Sequence, residues 1–368
     1  MVDTLKSRVE DSLAGCMVPN TQQPLMAVSR LMACELKGDS LHVKLDLGFS
    51  LEQTARAALV LTLQDSLQKA GLSESVQVEL SANIRSHGQA SSHKAVPGVR
   101  NVVAVASGKG GVGKSTTSVN IACALAQQGC RVGLLDADIY GPNQPLMLGV
   151  TAVAKADDSQ LVPLLAHGVY SMSMGYLVDP DTPMVWRGPM VSKALTQLLY
   201  QTAWPDLDYL IVDLPPGTGD VQLTLSSSVR MTGAVIVSTP QDVALLDAKK
   251  AIKMFSKVSV PVLGMVENMS LHVCSQCGHE EAIFGHGGAL SVAKDFTIPL
   301  LGELPLSLSV RQACDQGTPI VCADAESDIA QRYQSIATNV SLQVALQPIN
   351  YDSHFKVAVE TTGSTQGE

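Results

Sequence analysis

No run of about 18 or more apolar residues occurs in this chain, so no membrane-spanning helix is expected. Aromatic side chains are scarce, at 4% of the 368 positions, and charged ones make up 16% against 46% hydrophobic. That is the composition of a soluble globular protein with a sizeable core. Basic residues are outnumbered: 25 Lys and Arg face 34 Asp and Glu, for a formal net charge of −9. Such a balance argues against a nucleic-acid-binding surface. The opening stretch MVDTLKSRVEDS is charged and lacks the apolar segment of a secretory leader, so a cytoplasmic location without membrane attachment is expected.

Cysteine is present, at eight positions, but in a reducing compartment these are not read as a disulfide framework. Cys16, Cys34, Cys123, Cys130, Cys314 and Cys322 lie in apolar or helical surroundings and read as small core residues. Cys274 and Cys277 stand apart as the single CxxC, in HVCSQCGH.

The length fits two or three domains, or one large α/β domain with an appendage. Residues 1–85 alternate helix-like and strand-like segments, among them LHVKLDL, LEQTARAALVLTLQDSLQKAG and SVQVELSANI, and read as a small α+β domain. Residues 86–98, SHGQASSHKAVPG, are rich in Ser, Gly and His and read as a linker. From residue 99 to about 350 the pattern changes. NVVAVAS, RVGLLDAD, YLIVDLPP, AVIVSTP and VLGMVENM are short, near-continuous apolar runs with helix-length segments between them. Such runs fit strands buried on both faces, so an α/β fold with a doubly wound, mostly parallel sheet is predicted, its ligands at the C-terminal strand ends. Residues 351–368 read as a disordered tail.

Within SGKGGVGKST, the residues Gly108, Gly113, Lys114 and Ser115 satisfy the phosphate-loop pattern, with an apolar strand before it and a helical pattern after it. The glycines of the loop (Gly108, Gly110, Gly111 and Gly113, with Val112 and Thr116 completing it) let backbone N–H groups curl round phosphate oxygens of ATP, and the helix N-terminus adds positive potential. Lys114 would reach the β- and γ-phosphates and the Ser115 hydroxyl would ligate Mg²⁺. Lys109 is a second lysine in the loop. From the opposite end it is poorly placed to serve the same phosphates, but it could point at a partner subunit's nucleotide and act in trans like an arginine finger.

Asp136 and Asp138, in DADIYGPNQP, fall where a core strand should end. A carboxylate there can orient or deprotonate the attacking water, or hold Mg²⁺ through water. Asp213 ends the hydrophobic run YLIVDLPPGTGD, where a carboxylate would bind a water of Mg²⁺. Gly217 and Gly219 follow and suit a mobile switch loop.

The CxxC supplies two thiolates where a zinc or iron–sulfur site usually wants four ligands. His272 or His279 could complete a zinc site, the pair could be a redox dithiol, or two copies could each give two thiolates to one [4Fe–4S] cluster. The last solution agrees with the dimer that Lys109 suggests independently.

GKGGVGKST is the deviant form of the phosphate loop and resembles that of the dimeric ATPases that include nitrogenase iron protein and the MinD/ParA group. With DADIYGPNQP, VWRGPM, DLPPGTGD, VENMS, CSQCGH and LPLSLSVRQACDQGTPIV following in order, the chain most resembles the Mrp/ApbC iron–sulfur cluster carrier ATPases, over roughly residues 99–340. The resemblance implies a nucleotide-sandwich homodimer with Lys109 crossing the interface, and slow ATP hydrolysis with Asp138 positioning water and Asp136 in support. It also implies Asn268 at the adenine and a [4Fe–4S] cluster on Cys274 and Cys277, received from scaffold proteins and handed to apo-proteins. Asn143 stands where that family commonly has Ser, and the acidic Asp-Pro-Glu-type motif of its N-terminal domain is missing from CMVPNTQQPL. The competing expectation is a MinD/ParA-like, ATP-switched spatial regulator without a cluster.

Overall fold

The computed structural model describes residues 2–88, 93–154, 156–157, 160–177, 188–274 and 276–350. Its N-terminal part runs α1 (Val2–Ala14), β1 (Ser29–Lys37), β2 (Ser40–Leu47), α2 (Gln53–Lys69) and β3 (Ser75–Ala82). The three strands form one sheet in the order β1-β2-β3, antiparallel then parallel. Helix α2 starts where the Glu52 carboxylate accepts the N–H groups of Thr54 and Ala55, satisfying donors that the first turn leaves orphaned. Leu59, Leu63 and Leu67, one face of α2, are buried and join Val9, Leu13, Leu41, Val43, Leu45 and Phe49 in a separate apolar cluster.

The rest of the chain runs β4 (Val99–Ala106), α3 (Lys114–Gln127), β5 (Val132–Asp136), α4 (Gln144–Met147), β6 (Ala156–Asp157), β7 (Gln160–Leu161), β8 (Leu164–Ala166), β9 (Val169–Ser173), α5 (Gly188–Gln201) and β10 (Leu207–Asp213). It continues with α6 (Asp220–Ser228), β11 (Gly233–Ser238), α7 (Asp242–Lys257), β12 (Val262–Val273), β13 (Glu280–Glu281), α8 (Gly288–Asp295), β14 (Leu300–Leu306), α9 (Leu308–Asp315), α10 (Ile320–Ala323) and α11 (Asp328–Ala345). The main sheet has the order β13-β12-β11-β4-β10-β5-β9-β8, with β14 on β12. Its central pairs are parallel, and the short strands β8 and β13 add antiparallel edges. This is the predicted α/β class with a doubly wound, mostly parallel sheet.

Alternation along the strands divides the core into two layers, because successive side chains of a strand point to opposite faces. Val102, Ala104 and Ala106 of β4 pack with α5, α7 and α8, while Val103 and Val105 pack with α3 and α11. The near-continuous apolar runs in the sequence arise from this double coverage.

The N-terminal sheet docks on the same α11. Leu342 belongs to its apolar cluster, Ser50 donates its N–H to Ser341 Oγ at 2.7 Å, and Ser50 Oγ donates to Gln128 Oε1 at 2.7 Å. The stretch read as a linker begins with ordered contacts. Buried His87 donates its N–H to Asn101 Oδ1 of β4, and Gly88 N and Ser86 O bond to Pro348 O and Asn350 N. Residues 351–368 and the segment containing Trp186 and Arg187 lie outside the described residues.

Candidate functional site

The phosphate loop leaves the C-terminal end of β4 and enters α3. Gly108 sits where a Cβ would come within 2.3 Å of the Asp247 carbonyl oxygen, so only glycine lets the loop press against α7. Gly113, at φ +81°, begins α3 in the left-handed region, where glycine carries no steric penalty. The side chain of Ser107 donates to Lys109 O at 2.8 Å and braces the bend. Gly110 and Gly111 are exposed, Val112 is buried, and Ser115 and Thr116 are half-buried at the helix start.

Three strand or helix ends converge behind the loop. Lys114 Nζ, buried, pairs with Asp213 Oδ1 at 2.6 Å and donates to Ser115 Oγ at 3.1 Å. Asp213 also accepts Ser118 Oγ at 2.7 Å and Gln144 Nε2 at 3.0 Å. Asp136 is paired in register with Asp213 across β5 and β10. It accepts the N–H groups of Gln144 and Asp138 and the Ser173 hydroxyl. Burial, and then the neighbouring Asp213 charge, push Asp136 up to about 7, since both effects penalise the anion. Burial also raises Asp138, which is half-exposed at the mouth of the site.

Sequence reasoning passed over Gln144, Ser118 and Ser173. Gln144 lay within the quoted DADIYGPNQP, but nothing in that string shows a glutamine bridging Ser115 O and Asp213. Its Oε1 is buried and without a partner. An orphaned acceptor costs stability unless a ligand satisfies it, so the donor set here suits a hydrated cation beside Ser115 and Asp213.

Lys109 is half-exposed and makes no ion pair among the described residues. The loop therefore has one lysine buried in its own site and one outside it. Asn268, buried near the middle of β12, donates Nδ2 to Val112 O at 2.9 Å, and its amide occupies the space that a Cβ on Gly113 would need. Here it braces the loop. A cleft of about 310 Å³ opens beside it, lined by Gly113, Thr116, Asn268, Met269, Leu306 and Tyr333 among others.

Strand β12 continues from Asn268 to Val273 and delivers Cys274 and Cys277 at its end. The turn between them is closed by Gly278 N on Cys274 O at 2.8 Å and Cys274 N on His279 O at 2.9 Å, with Gly278 at φ +71°. Cys277 is exposed and Cys274 half-exposed. Backbone N–H groups of Gln276 and Cys277, with the Cys277 thiol, hold the Cys274 thiol below its usual range, which favours the metal-binding thiolate. Burial does the opposite to Cys130 and Cys314, pushed up to about 12 and about 11. Cys322 is also lowered, by the thiol of Cys123. His272 is tied to Leu306 O of β14 at 3.3 Å. Among the described residues, neither His272 nor His279 joins the thiols in a three-ligand cluster, so one chain offers the thiol pair alone.

Residues 98–341 match the model of a ParA-type family described as NUBPL iron-transfer P-loop NTPase. The iron–sulfur cluster carrier protein of Salmonella typhimurium is 47% identical over 347 residues, covering 94% of each chain. An iron–sulfur protein required for NADH dehydrogenase in mitochondria of Arabidopsis thaliana is 50% identical over 246 residues, 66% of this chain and 78% of that one. Among solved structures, a nucleotide-binding protein from Archaeoglobus fulgidus, in complex with ADP and with cobalt found, is 36% identical. It covers 65% of this chain and 93% of its own, with a TM-score of 0.57. The cell division ATPase MinD of Pyrococcus furiosus is 22% identical with a TM-score of 0.51, covering 65% of this chain and 98% of its own, and attests the fold alone.

Proposed function

The chain belongs to the NUBPL-type family of iron-transfer P-loop NTPases, and on that premise we propose that it is an ATP-hydrolysing iron–sulfur cluster carrier acting as a homodimer. Its cargo is a [4Fe–4S] cluster held between two chains and passed to apo-proteins in the cytoplasm. The observation that carries this reading is the exposed, hydrogen-bonded thiol pair at the end of the strand that braces the phosphate loop. Two such pairs meeting at a two-fold axis would supply the four thiolates that a cubane cluster needs.

In the nucleotide half of the cycle, the phosphates enter over Gly110–Ser115 and draw Lys114 away from Asp213. Ser115 Oγ and, through water, Asp213 would hold Mg²⁺, which when bound would supply positive charge beside the phosphates. Gln144 Oε1, buried and unpartnered, would accept a hydrogen bond from water held there. Asp138, at the mouth of the site, orients the attacking water, while Asp136 fixes its backbone. The cleft beside Asn268 receives the adenine. Lys109 reaches the partner's nucleotide, so hydrolysis requires the dimer and reports on its assembly.

Iron and acid-labile sulfide per chain, measured after anaerobic reconstitution, test the cargo. About two irons per chain, lost in Cys274→Ala, are expected from one four-iron cluster shared by two chains. Absence of acid-labile sulfide would remove the carrier reading in favour of a regulator without a cluster, and iron with sulfide unaffected by the substitution would take the cluster off Cys274. Lys109→Ala should still bind ATP but lose hydrolysis, whereas Lys114→Ala should lose binding; equal loss of binding in both would place the two lysines on one nucleotide.

A further inference from the structure

We infer that Glu267, His286 and Glu303 form a site for one divalent transition-metal ion, distinct from the phosphate loop and from the thiol pair. Glu267 and Glu303 face each other in register on the parallel strands β12 and β14. His286 comes from the loop that precedes α8. The ligand atoms of all three lie within 4.8 Å of one another, a spread that a small inward movement closes to the roughly 2.0–2.2 Å bonds such ions make.

The charge on these residues points to a cation. Glu267 is fully buried, and its two oxygens accept the N–H groups of Gly287 at 3.1 Å and Ala289 at 2.6 Å. Those bonds orient the carboxylate and bring no countercharge to it. Neither Glu267 nor Glu303 has a Lys or Arg side-chain partner among the described residues. Arg332 is engaged with Asp328 and donates to the Glu303 backbone oxygen rather than forming an ion pair with its carboxylate. Buried charges are paired or coordinate metals, and like charges directly opposite on paired strands destabilise each other. A divalent ion between them removes both costs.

The donor set narrows the ion. One imidazole and two carboxylates suit Fe²⁺, Mn²⁺ or Zn²⁺ better than a soft thiophilic ion. Three protein ligands leave positions for water, and exposed His286 gives a path from solvent. The placement also matters. The segment carrying Cys274 and Cys277 leaves β12 after Val273, pairs back on it through β13 and reaches His286 just before α8. An ion here ties the two stems of that segment together and holds both to β14. The inference stands whether or not the chain carries a cluster.

The test uses the full-length chain with Cys274→Ser and Cys277→Ser, free of nucleotide, titrated with Co²⁺. One Co²⁺ per chain is expected, with visible d–d absorption and no thiolate-to-cobalt charge-transfer band. His286→Ala and Glu303→Gln, added singly, should each weaken binding by at least roughly tenfold, since even outer-shell partners are worth about 10–100-fold. Both positions are at least partly exposed, and thermal melting in the absence of metal no lower than the parent's verifies that each variant folds. In the Cys-to-Ser protein, Co²⁺ should slow amide exchange across residues 280–289, and His286→Ala should abolish that protection. Failure to bind Co²⁺, binding indifferent to both substitutions, or binding without protection would each overturn the assignment.

Discussion

The middle and the end of β12 differ in kind. Near its middle, Asn268 braces a phosphate loop backed by side chains of one chain: Lys114, Asp213, Asp136, Ser118 and Gln144 are buried and mutually bonded. At its end, Cys274 and Cys277 face solvent and belong to none of the three apolar clusters. The first site is preorganised, its polar groups held by a dense network before any ligand arrives. The second is a pair of thiols held by its own turn, which in the proposed dimer would be half of a four-ligand site. The contrast teaches that the polar network behind the phosphate loop is a property of the folded chain, whereas cargo recognition as proposed would be a property of an assembly.

The sharpest way to break this contrast is Asp213→Ala. It leaves the buried Lys114 ammonium without its anion, and removal of one partner from a buried pair costs about 3–5 kcal/mol. Denaturant unfolding of the nucleotide-free protein should register that loss; a change no larger than that of a surface substitution would mean the network is not cohesive. A smaller effect is expected from Asp136→Asn. The Asp136 carboxyl, raised from 3.8 to about 7, binds its proton more tightly folded than unfolded. Its stabilising contribution is therefore complete below about pH 4 and is lost as pH rises through about 7. The stability of the wild type relative to Asp136→Asn should fall across that window, and parallel pH profiles would refute the shift. The smallest effect belongs to Cys274→Ser with Cys277→Ser. In the absence of metal the pair should change stability by no more than about 0.5 kcal/mol, even though the same substitutions should abolish loading of the sulfide-containing cluster.

The phosphate end was open to reading because its residues are contiguous or motif-bound. Gly108 to Thr116 form one string, and Asp136 and Asp213 each close an apolar run, so strand logic alone places them at one edge of the sheet. What stayed hidden was whatever depends on register between distant segments. Glu267 and Glu303 are ordinary acidic residues until β12 and β14 are paired, and no spacing rule joins them to His286. Gln144 was visible but mute, since a glutamine in a loop carries no signature of the carboxylate it will touch. Asn268 was placed by resemblance at the adenine, and the structure adds a bond to the loop that strand periodicity could not foresee. The docking of the N-terminal sheet through Ser50 and Ser341 rests on small hydroxyls, the least informative of sequence signals.

The marginal position of the thiol pair has a consequence for turnover. In small zinc domains the bound metal supplies the folding energy, and its removal unravels the chain. A courier built that way would be destroyed by each delivery. Here Cys274 and Cys277 hang from a tight turn outside every apolar cluster, so with cargo on that proposed site the loaded and emptied forms would share one scaffold. The protein can surrender what it holds and remain fit to be filled again.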